Sequence, residues 1–127
     1  MIELVPVLLV DKVWPQLQPY MVKACKKGGG QYTEGWLHTV CRRGEAYLVV
    51  DYEGTEIKAG VVCQEQNWSG RVVLNLLACG GKKYDRKAFT SFAKETLGFD
   101  RVVYEGRPGW GRTPGVRVVR HVYEMEL

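Results

Sequence analysis

The sequence predicts an α+β fold: three helices and a mostly antiparallel sheet of about six strands, in the order β-α-α-β-β-β-α-β-(irregular)-β. Three observations predict it. An apolar, strand-like run at the start is followed by two stretches of helical periodicity. Three strand-like runs then follow one another with no helix between them, and one amphipathic stretch separates these from two more. The early helix pair and the three consecutive strands exclude the regular β/α alternation of doubly wound folds.

Taken in order, Ile2 to Val10 is rich in Val, Ile and Leu and reads as a mostly buried strand ending at Asp11, a helix N-cap candidate. Trp14, Leu17, Met21, Val22 and Cys25 recur at helical spacing, and Gly28-Gly29-Gly30 stops the run. Pro15 and Pro19 stand near its start, and Pro19, which lacks an N–H for the helical ladder, predicts that the regular helix begins late. A shorter helix carries Trp36, Leu37 and Val40 behind the cap candidate Thr33. It ends at Cys41-Arg42-Arg43-Gly44, with cations where the helix dipole is negative. Ala46 to Asp51 and Glu56 to Cys63 flank the turn Tyr52-Glu53-Gly54-Thr55 as a hairpin.

A loop with Asn67, Ser69 and Gly70 leads to Arg71–Cys79, a near-continuous apolar run suited to a central strand covered on both faces and ended by Gly80 and Gly81. Ala88, Phe89, Phe92, Ala93, Thr96 and Leu97 recur at three- and four-residue spacing before Gly98, so Tyr84 to Leu97 reads as a helix with one apolar face for the sheet. Arg101 to Glu105 reads as a strand, Gly106 to Gly115 as a breaker-rich connection around Trp110, and Arg117 to Met125 as a final strand.

At 127 residues the chain fits one domain, 1–127, with no room for separate cofactor and substrate domains. Its hydrophobic fraction of 46% sets it apart from disordered chains. The net charge of +4 is spread from Lys26 to Arg120, which fits either a mild attraction for anions or plain solubility. Arg101, Arg107, Arg112, Arg117 and Arg120 do not fall on one side of the last strand, so nucleic acid is not an expected partner. Cys25, Cys41, Cys63 and Cys79 are dispersed among apolar residues, and neither His38 nor His121 has ligands at helical or strand spacing that would complete a site. Buried free thiols and no metal site are expected. Met1 to Val10 carries Glu3 and Pro6 and lacks a basic leader, which predicts a cytoplasmic protein without a membrane segment.

The element order from Ile2 to Leu127 resembles that of the GNAT (N-acetyltransferase) superfamily over nearly the whole chain. The resemblance implies acetyl-CoA as cofactor, its pyrophosphate held by backbone N–H groups of the loop after the fourth strand and by the next helix N-terminus, where unsatisfied amides and the positive dipole end meet an anion. The family pattern there is Arg or Gln, two residues, Gly, any residue, then Gly or Ala. This chain has Cys79-Gly80-Gly81-Lys82-Lys83-Tyr84-Asp85-Arg86, with adjacent glycines in a shorter loop. Its bases fit either a phosphate held by point charges or a solvated helix start. Carried over, the cofactor-binding positions are Leu77, Cys79, Gly80, Gly81, Lys82, Lys83 and Arg86.

The family's chemistry also takes a base for the ammonium proton, often a glutamate through water, and a proton donor for the leaving thiolate, commonly a tyrosine after the fifth strand. Glu56, Glu65 and Glu105 are the carboxylates near the sheet centre and Tyr104 is the nearest tyrosine, so Glu65, Tyr104 and Glu105 are the catalytic candidates. None matches the family position. Pro108-Gly109-Trp110-Gly111-Arg112-Thr113-Pro114 stands where the tyrosine-bearing helix would be, and Gly106-Arg107 where an asparagine is often found.

The run Gly106-Arg107-Pro108-Gly109-Trp110-Gly111-Arg112 before the last strand is similar to the tail of small GNAT-like proteins of bacteriophages; it reads equally as an arginine-rich loop pinned by a core tryptophan. The expected function is that of a phage protein without an intact acetyltransferase site, serving assembly, the virion or host modulation. It would act in the host cytoplasm or the virion through a protein partner. The alternative is an acyl-CoA-dependent N-acyltransferase with a divergent loop, so whether the chain is an enzyme is left open. Trp14 and Trp36 read as core residues, whereas Trp68, Arg107, Trp110 and Arg112 are the interaction-surface candidates, Trp68 fitting a loop anchor as well.

Overall fold

A computed structural model describes residues 1–28, 31–105 and 112–127. The chain runs β1 (Ile2–Leu4), a single 3-10 turn (Val7–Leu9), α1 (Val10–Lys27), α2 (Glu34–Arg42), β2 (Tyr47–Glu53), β3 (Glu56–Trp68), β4 (Arg71–Gly81), α3 (Arg86–Glu95) and β5 (Val102–Tyr104). The strands form one five-stranded sheet in the order β1-β2-β3-β4-β5, antiparallel from β1 to β4 and parallel between β4 and β5. Three helices and a mostly antiparallel sheet are the predicted α+β class, with five strands among the described residues in place of about six.

The ends of the chain account for the differences. The first strand stops at Leu4 rather than Val10, because Pro6 has no N–H to give a neighbour, and Val7–Leu9 turns into α1 with Leu8 95% exposed. Asp11 is therefore inside the first helical turn, and the N-cap is Leu9. Both Pro15 and Pro19 lie within α1, so the helix begins early rather than late. Each proline costs about 3 kcal/mol, but burying a Val, Leu or Met side chain contributes about 1.5–3 kcal/mol, and Val10, Leu17 and Met21 are all buried on this face. At the other end, 116–127 contains no strand. The connection expected between β3 and β4 is a tight turn at Ser69-Gly70, both with positive φ, so Trp68 sits in a strand instead of a loop.

Alternation along the strands divides the core in two. Leu48 and Val50 of β2 and Val62 of β3 pack with Trp14, Leu17 and Met21 of α1 and Leu37 and Val40 of α2. On the other face Val49, Val61, Cys63 and Leu74 pack with Phe89 and Ala93 of α3. All four cysteines are free; burial pushes the Cys41 thiol up to about 12 and the Cys79 thiol up to about 11, so neither is a thiolate at neutral pH. Trp14 is buried as expected, whereas Trp36 is 40% exposed and stacks on Tyr32, ring centroids 5.0 Å apart.

Two local devices fix α2 beside α1. Thr33 caps α2 by accepting from the Trp36 N–H at 3.1 Å. Thr33→Ala should therefore destabilise the protein by about 1 kcal/mol in urea denaturation. Asp11 of α1 receives Arg42 Nε at 2.9 Å and lies 2.7 Å from His38 Nε2, while His38 stacks on Trp14. Arg42, then His38, holds the Asp11 carboxyl below its ordinary 3.8. A lowered carboxylate pKa stabilises above the unfolded-state value, and the contribution disappears as pH falls through the folded-state value. The difference in melting temperature between the parent and Asp11→Asn should thus be present at neutral pH and vanish in acid, as a paired pH series would read.

Candidate functional site

The phosphate-loop candidates are placed by β4, which runs two residues further than its apolar pattern. Gly80 and Gly81 remain in the sheet, in register with Gly60 and Ala59 of β3, and the Lys82 N–H donates to the Lys58 carbonyl at 2.8 Å. Both glycines have packing reasons. A Cβ at Gly80 would lie 2.8 Å from the Tyr20 carbonyl oxygen of α1, and one at Gly81 would lie 2.4 Å from the Lys58 carbonyl oxygen. They allow the close approach of backbones within the protein.

The charges at this junction are engaged in the same way. Lys82 Nζ donates to Glu56 Oε1 at 2.6 Å, and Lys58 Nζ donates to Glu56 Oε2 at 3.3 Å. Lys82 and then Lys58 hold the Glu56 carboxyl below the usual carboxylate range. At the start of α3, Asp85 is the N-cap, and its carboxylate accepts from the Ala88 N–H at 3.0 Å. A carboxylate there places negative charge at the positive end of the helix, where a pyrophosphate would have to sit. Lys83 and Arg86 are exposed on either side of Tyr84 and Asp85, and burial, then Cys79, pushes the Tyr84 hydroxyl up. Of the amides at this junction, the Lys82 N–H is taken by the Lys58 carbonyl and the Ala88 N–H by Asp85.

The β4–β5 junction is different. Pairing covers Leu74↔Val102, Asn75↔Val103 and Leu76↔Tyr104, after which β4 continues to Gly81 with no strand on that side among the described residues. Leu77 is the extra residue of a bulge, since Val62 pairs Ala78 while Cys63 pairs Leu76. A bulge bends its strand and leaves backbone polar groups outside the ladder. Beside it, on the α1 side, opens a cleft of roughly 460 Å³ of solvent-connected space, between Ala24 and Cys25 of α1 and its C-cap Gly28, Gln31 and Tyr32, Asn75–Ala78 of β4 and Glu105.

Of the catalytic candidates, Glu105 lines this cleft. Glu65 does not: it lies two residues beyond Cys63, which is buried beneath α3, and so faces the opposite side of the sheet. Tyr104 is two residues beyond Val102, which packs with the α3 core, and shares that opposite face. No pair of Glu65, Tyr104 and Glu105 shares the cleft. Sequence reasoning missed Asn75, Gln31, Tyr32 and Cys25. Asn75 carried a signal as the lone polar side chain inside the apolar run 72–78, while Tyr32 carried none.

The expected interaction surface is also rearranged. Trp68 is half-buried and donates from Nε1 to Gln66 Oε1 at 3.0 Å. The arginine brought to it is Arg120, whose guanidinium lies 4.7 Å from the ring centroid and donates to Glu105 Oε1 at 3.3 Å. Arg112 is exposed, and Arg107 and Trp110 lie outside the described residues. Among the described residues no group of three or more His, Cys, Asp and Glu is placed to hold a metal, and no helix is long and apolar enough to cross a membrane.

No protein-family model matches the chain, and no curated protein matches it in sequence. Solved structures do match over its full length. It is similar to a possible acetyltransferase from Clostridium difficile 630, with a TM-score of 0.66 and 10% identity over 100% of this chain and 97% of that one. It is similar to the ribosomal-protein-alanine N-acetyltransferase of Brucella melitensis biovar Abortus 2308, with a TM-score of 0.65 and 8% identity over 100% and 99%. A GNAT family acetyltransferase of Staphylococcus aureus gives 0.62 and 13% over 100% and 98%. At such identities the likeness is one of fold, and the fold is that of the GNAT acetyltransferases.

Proposed function

We propose that this GNAT-fold chain acts without acetyl transfer, through contacts with other proteins. The observation that carries this reading is the internal use of the groups that would hold a pyrophosphate. Gly80, Gly81 and the Lys82 N–H belong to the β3–β4 pairing, Lys82 Nζ is held by Glu56, and Asp85 occupies the N-terminus of α3. These residues do not fit the cofactor's phosphates. The setting we assign is a bacteriophage, as an assembly, virion-associated or host-modulating protein in the host cytoplasm or the virion; the tail Gly106–Arg112 supports it. Calorimetry and thermal melting with millimolar acetyl-CoA test the reading, with no heat and no shift expected. Saturation to 100 times Kd would add about 2.7 kcal/mol, and a stabilisation of that order with acetylation of an amine would overturn it.

One observation favours a second reading, an acyl-CoA-dependent N-acyltransferase. β4 continues past its three-residue pairing with β5, with no further strand on that side among the described residues, next to the cleft that contains Glu105. In that reading Glu105 takes the proton of an ammonium group seated in the cleft. Glu105→Gln would then lower kcat by roughly 10²–10⁴ with the melting temperature little changed, and a variant as active as the parent would remove Glu105 from the chemistry.

A further inference from the structure

The C-terminal segment, residues 116–127, contains no helix or strand, and Val118, Val122, Tyr123, Met125 and Leu127 are each more than half exposed. Burial of these side chains therefore does little to hold it. Its Arg120 reaches the folded body at two points. The guanidinium lies 4.7 Å from the ring centroid of Trp68 and donates to Glu105 Oε1 at 3.3 Å. Trp68 is itself fixed by a relay of side chains along β3. Its Nε1 donates to Gln66 Oε1 at 3.0 Å, Gln66 Nε2 to Gln64 Oε1 at 3.3 Å, and Gln64 Nε2 to the Glu45 carbonyl at 3.0 Å. Gln64, Gln66 and Trp68 are an even number of residues from Val62, which packs with α1, so the indole stands on the same face of the sheet as the cleft. Glu105 lines that cleft from the sheet side and Tyr32 from the helix side. Tyr32 registers both charges: burial, then Glu105, pushes its hydroxyl up, while Arg120 opposes them. The guanidinium is thus within electrostatic reach of both walls.

We propose that Arg120 is a latch: seated on Trp68 and Glu105, it closes the C-terminal segment across the mouth of the cleft, and its release opens the cleft. The seat suits a reversible closure. The Arg120 and Glu105 side chains are 52% and 48% exposed, so salt screens their attraction. The indole face favours a planar guanidinium, and at an exposed site that contact is also of modest strength. Closed, the latch occupies the carboxylate that a bound cation would use. A cationic ligand entering between Tyr32 and Glu105 has to displace Arg120, which couples occupancy of the cleft to freeing of the segment.

The test compares Cys25, which lines the cleft, with Cys79, which packs with the α3 core on the opposite face of the sheet. The full chain is alkylated with iodoacetamide, an uncharged reagent, and the rate at each cysteine is read by peptide mass spectrometry. In Arg120→Ala the rate at Cys25 should rise roughly fivefold, with the rate at Cys79 and the melting temperature unchanged. Charge alone would act the other way, since removing a cation makes a nearby thiolate harder to form. Arg120→Lys, which keeps the charge and loses the planar fork, should fall between the two. Salt at roughly molar concentration should speed Cys25 more in the parent than in Arg120→Ala, because only the parent has this pair to screen. Equal rates at Cys25 in the parent and Arg120→Ala, a rise shared by Cys79, or the same salt response in both chains overturns the proposal. No acetyl-CoA enters the readout, so the latch can fail while the reading of the phosphate junction stands, and the reverse.

Discussion

Replacing Gly81 by alanine should destabilise the protein by about 3 kcal/mol, an effect large enough to appear in any denaturation curve. Gly81 has a φ of +152°, which L side chains seldom adopt, and an added Cβ would lie 2.4 Å from the Lys58 carbonyl oxygen and 2.5 Å from the Ala59 Cα. Those atoms are backbone of the adjacent strand and cannot turn aside as a side-chain tip would. The β3–β4 ladder would have to open at its end, releasing the Lys82 N–H from Lys58 as well. Lys83→Ala, two residues away on an exposed side chain, should stay within about 0.5 kcal/mol of the parent. The contrast decides what the glycine is for. Were Gly81 kept for the approach of a phosphate, alanine would weaken acetyl-CoA binding and leave stability nearly unchanged.

The same residue shows how much of the molecule could be read from its sequence. Features set within a few residues were legible: the cap at Thr33, the glycine stop after Lys27, the buried face of Trp14, Leu17 and Met21, and the amphipathic α3. Gly80 and Gly81 were legible as glycines but not in their purpose, because the atoms that exclude a side chain come from Tyr20 and Lys58, remote in sequence. The Glu65 and Glu105 candidates looked alike as carboxylates near the sheet. They separate only once register is known, since one residue of parity sends a side chain to the opposite face, and the Leu77 bulge shifts that parity within β4. The overestimate of β1 and the expected strand over 117–125 share a cause. Strand propensity describes a segment, whereas a strand requires a neighbour, and neither Val7–Leu9 nor the C-terminal run has one within the described chain.

Leu17→Ala should cost about 2–5 kcal/mol, a large part of the roughly 5–15 kcal/mol that holds a domain of this size together. Leu17 is fully buried on the inner face of α1 and sits over Gly60 of β3, where an added Cβ would meet Leu17 Cδ2 at 2.7 Å and Met21 Cε at 3.4 Å. The missing side chain at 60 is therefore the hole into which the α1 knob fits. Gly60→Ala alone should destabilise as well, by about 1–3 kcal/mol, because Leu17 must leave its place to admit the new methyl. In the double variant the methyl at 60 enters space that the truncated residue 17 vacates. The two losses should then fail to add, with a coupling of about 0.5–3 kcal/mol in favour of the pair, measured by a urea double-mutant cycle. Strict additivity would mean that α1 moves to fill its own cavity. In that case the helix that walls the cleft through Ala24 and Cys25 would be free to shift against β4, and the cleft's shape would not be fixed by this packing.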